Sequence, residues 1–138
     1  MNDIQKRVTA SFNAQGLMTT LGATLSLVAD GEVHIEVPYS PHISQQHGFM
    51  HGGAVGSILD SACGYAAMTK TPAGSEIVSV EFKINFVRPA IGDRFVAVGK
   101  VQTAGKLLLV SAGEVRAYTG NDYKIVALMQ ATMMNVQK

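Results

Sequence analysis

From Ala54 to Met68 the chain is apolar or small all the way round, with one carboxylate, Asp60, in its middle. A helix of that composition has no face to give to water and must be wrapped on every side by protein. The remainder of the chain therefore has to supply an envelope, and one helix against a broad sheet is the economical way to do it. Asp60 is costly in such surroundings unless it has a partner or a task. No Lys or Arg stands three or four positions away to pair with it. Just upstream, His51-Gly52-Gly53 leads into the helix start, where free backbone N–H groups and the helix dipole favour developing negative charge. A carboxylate and an anion-stabilising helix start are two parts of an acyl-transfer site.

The envelope is legible as strands. Glu76 to Val87 alternates, with Val78, Val80, Phe82, Ile84 and Phe86 expected on one face and Ser79, Glu81, Lys83 and Asn85 on the other. Residues 94–103, 106–118 and 123–136 predict three further strands, separated by Ala104-Gly105 and Gly120-Asn121, and links this short demand antiparallel pairing. Before the helix, residues 2–14 predict a short helix through Ile4, Val8 and Phe12. Residues 19–28 and 32–38 predict strands turning at Asp30-Gly31, and residues 38–50 an irregular, histidine-containing loop. The expected architecture is α+β, a long antiparallel sheet around one apolar helix. No linker or repeat divides it, so residues 1–138 read as a single domain.

Charge and cysteine content narrow the function. The net charge of +1 offers no basic surface for nucleic acid. The single Cys63 forms no internal disulfide, which fits a reducing compartment, and Asn2, Asp3, Lys6 and Arg7 interrupt any secretory apolar core. No apolar run approaches the roughly 20 residues that span a bilayer. The expectation is a cytoplasmic protein with no membrane or nucleic-acid partner.

An apolar helix between the second and third strands is the element order of the hotdog fold. Gly48-Phe49-Met50-His51-Gly52-Gly53 followed by Asp60 resembles the active-site segment of phenylacetate-pathway (PaaI-type) hotdog acyl-CoA thioesterases. Val78-Ser79-Val80-Glu81-Phe82 and Phe86-Val87-Arg88-Pro89-Ala90-Ile91-Gly92-Asp93 resemble that family's central strand and the turn after it, and the likeness runs from about residue 20 to 136.

Thioester hydrolysis needs a group that stabilises the carbonyl oxygen as it becomes an oxyanion and another that supplies or activates the attacking oxygen. The Gly52 N–H is the candidate oxyanion donor, with Gly53 beside it at the substrate, because glycine lets a bulky thioester approach the backbone. Asp60 is the candidate base or nucleophile. His51 reads either as a general base or as a residue that fixes the loop; the resemblance implies the second, aiming the Gly52 N–H, and that Ser79 positions water or holds the Asp60 carboxylate. Gln45 stands where the family often carries an asparagine that contacts the thioester carbonyl. Arg88 and Lys106, at strand ends, are candidates for the coenzyme A phosphates. His34, His42, His47 and His51 match no common zinc spacing, so neither metal nor redox cofactor is expected. Cys63 has no basic neighbour to activate it and reads as core.

Gly52 and Asp60 lie eight positions apart, about 12 Å along a helix, whereas reacting atoms must approach within about 3–3.5 Å. The simplest remedy takes the N–H from one subunit and the carboxylate from its neighbour, in a homodimer or homotetramer; the resemblance implies the same. The substrate would be an acyl-CoA. The rival reading is a hotdog protein that binds acyl-CoA as a sensor without turnover, and a thioester dehydratase is a third; the sensor gains nothing from Asp60, and the dehydratase asks for a proton-abstracting histidine.

Overall fold

The seat of the central helix is made of glycine. The computed structural model describes residues 1–137, and in it the helix α3 (Gly52–Met68) lies across a six-stranded sheet. Gly99 on β4 (Arg94–Ala104) pairs directly with Gly113 on β5 (Leu108–Thr119). A Cβ at Gly99 would come within 2.5 Å of the Ala62 backbone, and one at Gly113 within 2.7 Å of Leu59 and of the Val98 carbonyl. The paired absence of side chains brings the middle turn of α3 onto the sheet backbone. Ile58, Leu59, Ala62 and Cys63 are thereby fully buried, each large aliphatic one contributing about 1.5–3 kcal/mol.

The sheet is antiparallel throughout. Its order is β1 (Thr24–Ala29), β2 (Glu32–Pro38), β4, β5, β6 (Asp122–Gln137), β3 (Ser75–Phe86). The β1–β2 hairpin turns at Asp30-Gly31 as expected, with Gly31 at φ 79°. β3 has β6 on one side, and its other edge has no strand partner among the described residues. α1 (Asp3–Ala14) begins at a capping box between Asn2 and Gln5 and buries Val8 and Phe12. None of the helices among the described residues is long and apolar enough to cross a membrane.

Two local expectations need correction. Residues 16–21 form a short helix, α2 (Gly16–Leu21), where a strand was expected from residue 19. Its end is set by Gly22 in the left-handed region at φ 74°, and Met18 is fully buried. Burial of that side chain outweighs the strand preference of Thr19 and Thr20. In β3 the alternation does not run through. Ser79 pairs with Met133 and Glu81 with Thr132, so Val80 is an extra residue, a bulge. The bulge switches the strand's parity. Ser79 before it and Phe82, Ile84 and Phe86 after it face the helix together, although strict alternation separates them.

The glycine seat has a measurable consequence. Gly113→Ala is expected to lower unfolding free energy by about 1–3 kcal/mol, the usual scale of overpacking. Gly99→Ala is expected to lower it further, because all three of the nearest atoms to the new methyl, at 2.5–2.6 Å, are α3 backbone, whereas at Gly113 two of the three belong to side chains. Gly16→Ala, at the start of α2 with nothing within 4 Å of the added carbon, serves as the clash-free control and is expected to leave stability unchanged or raise it by up to about 1 kcal/mol. Denaturant midpoints measure all three, and an unchanged midpoint in Gly99→Ala would show that the helix is not held as described.

Candidate active site

α3 and β3 do not close against each other along their length. A stripe of one-turn steps on the helix, Gly52, Gly56, Asp60 and Gly64, faces the strand, and three of its four members lack a side chain. The result is a trough. Its first half is about 430 Å³, lined by Gly52, Gly53, Gly56, Asp60, Phe82 and Phe86. A second hollow of about 340 Å³ begins at Asp60 and Ser79 and continues toward Met68. The Ser79 hydroxyl donates to Asp60 Oδ1 at 2.7 Å and so bridges helix to strand at the divide. Asp60 is half-buried rather than enclosed, and its second carboxylate oxygen accepts no side-chain hydrogen bond within the described chain.

The helix start is arranged around His51, which is its N-cap. Gly53 N–H donates to His51 Nδ1 at 2.7 Å, which fixes that nitrogen as the acceptor and leaves the proton on Nε2. The His51 N–H in turn donates to the Ile43 carbonyl at 2.7 Å. Gly53, expected beside the substrate, has its N–H taken by this cap. The Gly52 N–H donates to no acceptor among the described residues. The geometry thus separates the two glycines. Phe86 covers the junction, its ring 3.3 Å from where a Gly52 Cβ would stand.

Gln45 closes its own loop. Its Oε1 accepts from the backbone N–H groups of His47 and Phe49, which assigns the oxygen and leaves the amide nitrogen out of this turn. Gln45 shares a small cavity of about 160 Å³ with Gly52, Phe86 and Arg88. Arg88 is at this end of the sheet, with Nη1 donating to the Ile125 carbonyl at 2.8 Å. Lys106 is not. Its carbonyl accepts from Asn135, whose strand partner is Ile77 near the start of β3. Most of β3, from Ile77 to Phe86 or roughly 30 Å at about 3.3 Å per residue, separates the backbone at these two cations, so one chain does not bring them to one phosphate. Among the described residues no three His, Cys, Asp or Glu side chains converge as a metal site. A further hollow of about 470 Å³ lies on the other face of the sheet among Lys83, Lys100, Glu114 and Gln130, apart from these groups.

Some of this escapes a reading of the sequence. The clear signal was available in Gly56 and Gly64, one turn before and after Asp60. Ser79 was reached through the family resemblance; alternation alone set it on the face opposite Phe82, Ile84 and Phe86, because the bulge leaves no mark in the pattern.

A thioesterase superfamily model matches residues 47–124, more than half of the chain. The structure superposes on a thioesterase family protein from Silicibacter pomeroyi with a TM-score of 0.96 and 38% identity, covering 98% of this chain and 99% of that one. A protein of Thermoplasma volcanium named as an esterase is 30% identical over 111 residues, 80% of this chain and 81% of its own length. The curated relatives are matched over 56% to 81% of their lengths. The E. coli PaaI protein from the phenylacetic acid degradation operon shares the hotdog fold at a TM-score of 0.86 and 22% identity, over 96% of this chain and 93% of that one.

Cys63 precedes Gly64 of the second hollow but is itself fully buried, turned away into the core. Burial pushes its thiol up to about 12 from 9.0, and the nearby Asp60 charge adds to the rise. The raised value stabilises the fold below about pH 9 and is lost as pH rises toward 12, through the range where an unfolded cysteine ionises. At pH 8 a thiol reagent is expected to leave the native protein unlabelled and to label it promptly in denaturant. Rapid labelling of the native state would contradict this burial.

Proposed function

As a member of the thioesterase superfamily the chain is a thioester hydrolase, and we propose that its substrate is an acyl-CoA, cleaved between the Asp60 carboxylate and the Gly52 N–H. The observation that carries this reading is the one unoccupied N–H at the helix start lining the same trough as a carboxylate whose other oxygen is already held by Ser79. The thioester carbonyl oxygen accepts from Gly52 N–H, with the Gln45 amide as a second donor. Such donors stabilise charge where it develops and need no reorganisation during reaction. His51 keeps the N–H aimed by capping Gly53.

Asp60 then has two routes, base or nucleophile. As base it takes a proton from water while the water oxygen bonds to the carbonyl carbon; collapse breaks the carbon–sulfur bond, and the proton passes to the departing thiolate. As nucleophile its free oxygen attacks the carbonyl carbon, the carbon–sulfur bond breaks, and the coenzyme A thiolate leaves and is protonated from water; water then hydrolyses the mixed anhydride to the free acid and restores the carboxylate. Ser79 suits both, since its hydroxyl orients the carboxylate without neutralising it. Neither route calls for a metal or redox cofactor.

Two copies of the chain complete the site in this proposal. Eight helical residues, about 12 Å, separate Gly52 from Asp60 within one chain. The trough is also open to water, with Phe82 46% and Phe86 55% exposed, whereas a site that excludes water strengthens its electrostatics. The unpaired β3 edge, carrying the exposed Val78 and Val80, is a ready strand template for a second copy. A two-fold axis there lays the Asp60 half of one trough near the Gly52 end of the other.

Asp60→Asn keeps the size of the side chain and removes its basicity. It is expected to lower kcat for acyl-CoA hydrolysis by about 10²–10⁴ while leaving acyl-CoA binding nearly unchanged. Hydrolysis at the parent rate would remove Asp60 from the chemistry and favour a protein that only binds its ligand at this trough.

A further inference from the structure

Beyond the Asp60–Ser79 bridge, the second hollow of the trough ends in a polar wall. α1 closes it there, held by Arg7, whose guanidinium donates to the carbonyls of Thr71 at 2.8 Å and Pro72 at 2.9 Å. Along α3 and β3 the hollow is lined by Gly64, Met68 and Ile77, with Glu76 at the start of the strand. At the α1 side, Gln15 Nε2 donates to Tyr65 Oη at 2.8 Å, Ser11 Oγ shares a hydrogen bond with the same phenol at 3.2 Å, and Ser61 Oγ donates to Gln15 Oε1 at 3.2 Å. Phe12 packs on the Tyr65 ring at 6.2 Å between centroids. The phenol is therefore placed by packing as well as by its partners, and Tyr65 is only 6% exposed.

These groups retain hydrogen-bonding capacity. A primary amide has two N–H donors and two lone pairs, and the network uses one of each on Gln15. We propose that this hollow receives the acyl group and that Gln15 and Tyr65 select acyl groups whose far end carries a hydroxyl or carbonyl. The proposal rests on cleavage at Asp60, which stands at the mouth of the hollow. Of the two arms of a thioester placed there, the coenzyme A arm is long and charged and needs open solvent. The hollow closed by α1 suits the shorter arm. A plain hydrocarbon end would displace water from the Gln15 amide and return no hydrogen bond, so it binds less well than a polar end of equal length. A site built to hydrogen-bond a substrate group discriminates against the analogue lacking it much more strongly than an apolar pocket discriminates by size.

The test uses hydrolysis-inert ketone analogues of acyl-CoA, with a methylene in place of the sulfur, in a matched pair differing only by a terminal hydroxyl on a short acyl chain. Dissociation constants are measured for the parent, Tyr65→Phe and Gln15→Leu. The hydroxylated analogue is expected to bind the parent about tenfold more tightly, with the preference falling below about threefold in each variant, the scale of losing one hydrogen bond. Affinity for the plain analogue should stay nearly constant, which a general loss of packing would not allow. Equal affinities in the parent, a preference that survives both substitutions, or no binding of either analogue would overturn the proposal. Because the analogues do not turn over, the preference is read whether or not Asp60 performs the cleavage.

Discussion

Contact between α3 and the glycine pair Gly99–Gly113, through the helix backbone at Gly99 and the Leu59 and Cys63 side chains at Gly113, is the constraint on which the rest of the molecule depends. It fixes both the height and the rotation of the helix over the sheet. Once Ala62 and Cys63 are pressed onto β4 and β5, the stripe one-third of a turn away looks toward β3. That stripe carries Gly52, Gly56, Asp60 and Gly64. A helix seated higher, on ordinary side chains, would move Asp60 away from Ser79 and disturb the hydrogen bond that orients the carboxylate. The packing and the chemistry are thus set by the same pair of missing methyl groups.

The bulge at Val80 performs the matching adjustment on the strand. Regular alternation would give the trough either Ser79 or the Phe82, Ile84 and Phe86 set. One extra residue gives it both, a hydrogen-bond donor beside the carboxylate and an apolar wall beside the helix start. Bulges re-aim side chains in this way next to functional sites. The trough therefore has a polar divide in its middle and an apolar first half, and the second half ends on the Gln15–Tyr65 network.

The residues differ in how openly they declared themselves. Asp60 was legible because an unpaired carboxylate within an apolar helix demands a reason. His51-Gly52-Gly53 was legible because a cap followed by glycine is a local signal, and Asp30-Gly31 marked its hairpin for the same cause. α2 was not, because Thr19 and Thr20 have strand-like local preference and the deciding term is burial of Met18 against distant residues. The bulge was hidden by a run of alternating residues with no irregularity in it. Gly99 and Gly113 were unremarked because their meaning lies in pairing across strands and contact with a helix some forty or fifty positions earlier in the chain. Gln15 and Tyr65, fifty positions apart, meet only once α1 has folded over the trough.

The claim at the centre of the account is that one thioester lies between the Gly52 N–H of one chain and the Asp60 carboxylate of another. It is tested most directly by mixing two inactive variants under conditions that exchange subunits. One is Asp60→Asn. The other is Gly52→Pro, which deletes the N–H at the first helical position, where proline is at home; His51, at ψ 138°, already has the conformation that precedes proline. A mixed dimer then holds one site with both defects and one with neither. The account predicts that each variant alone is inactive and that activity returns to about half the parent value per mixed dimer, as two-fold symmetry requires. Folded variants with verified exchange and no recovered hydrolysis would contradict it, and would place a complete site within each chain.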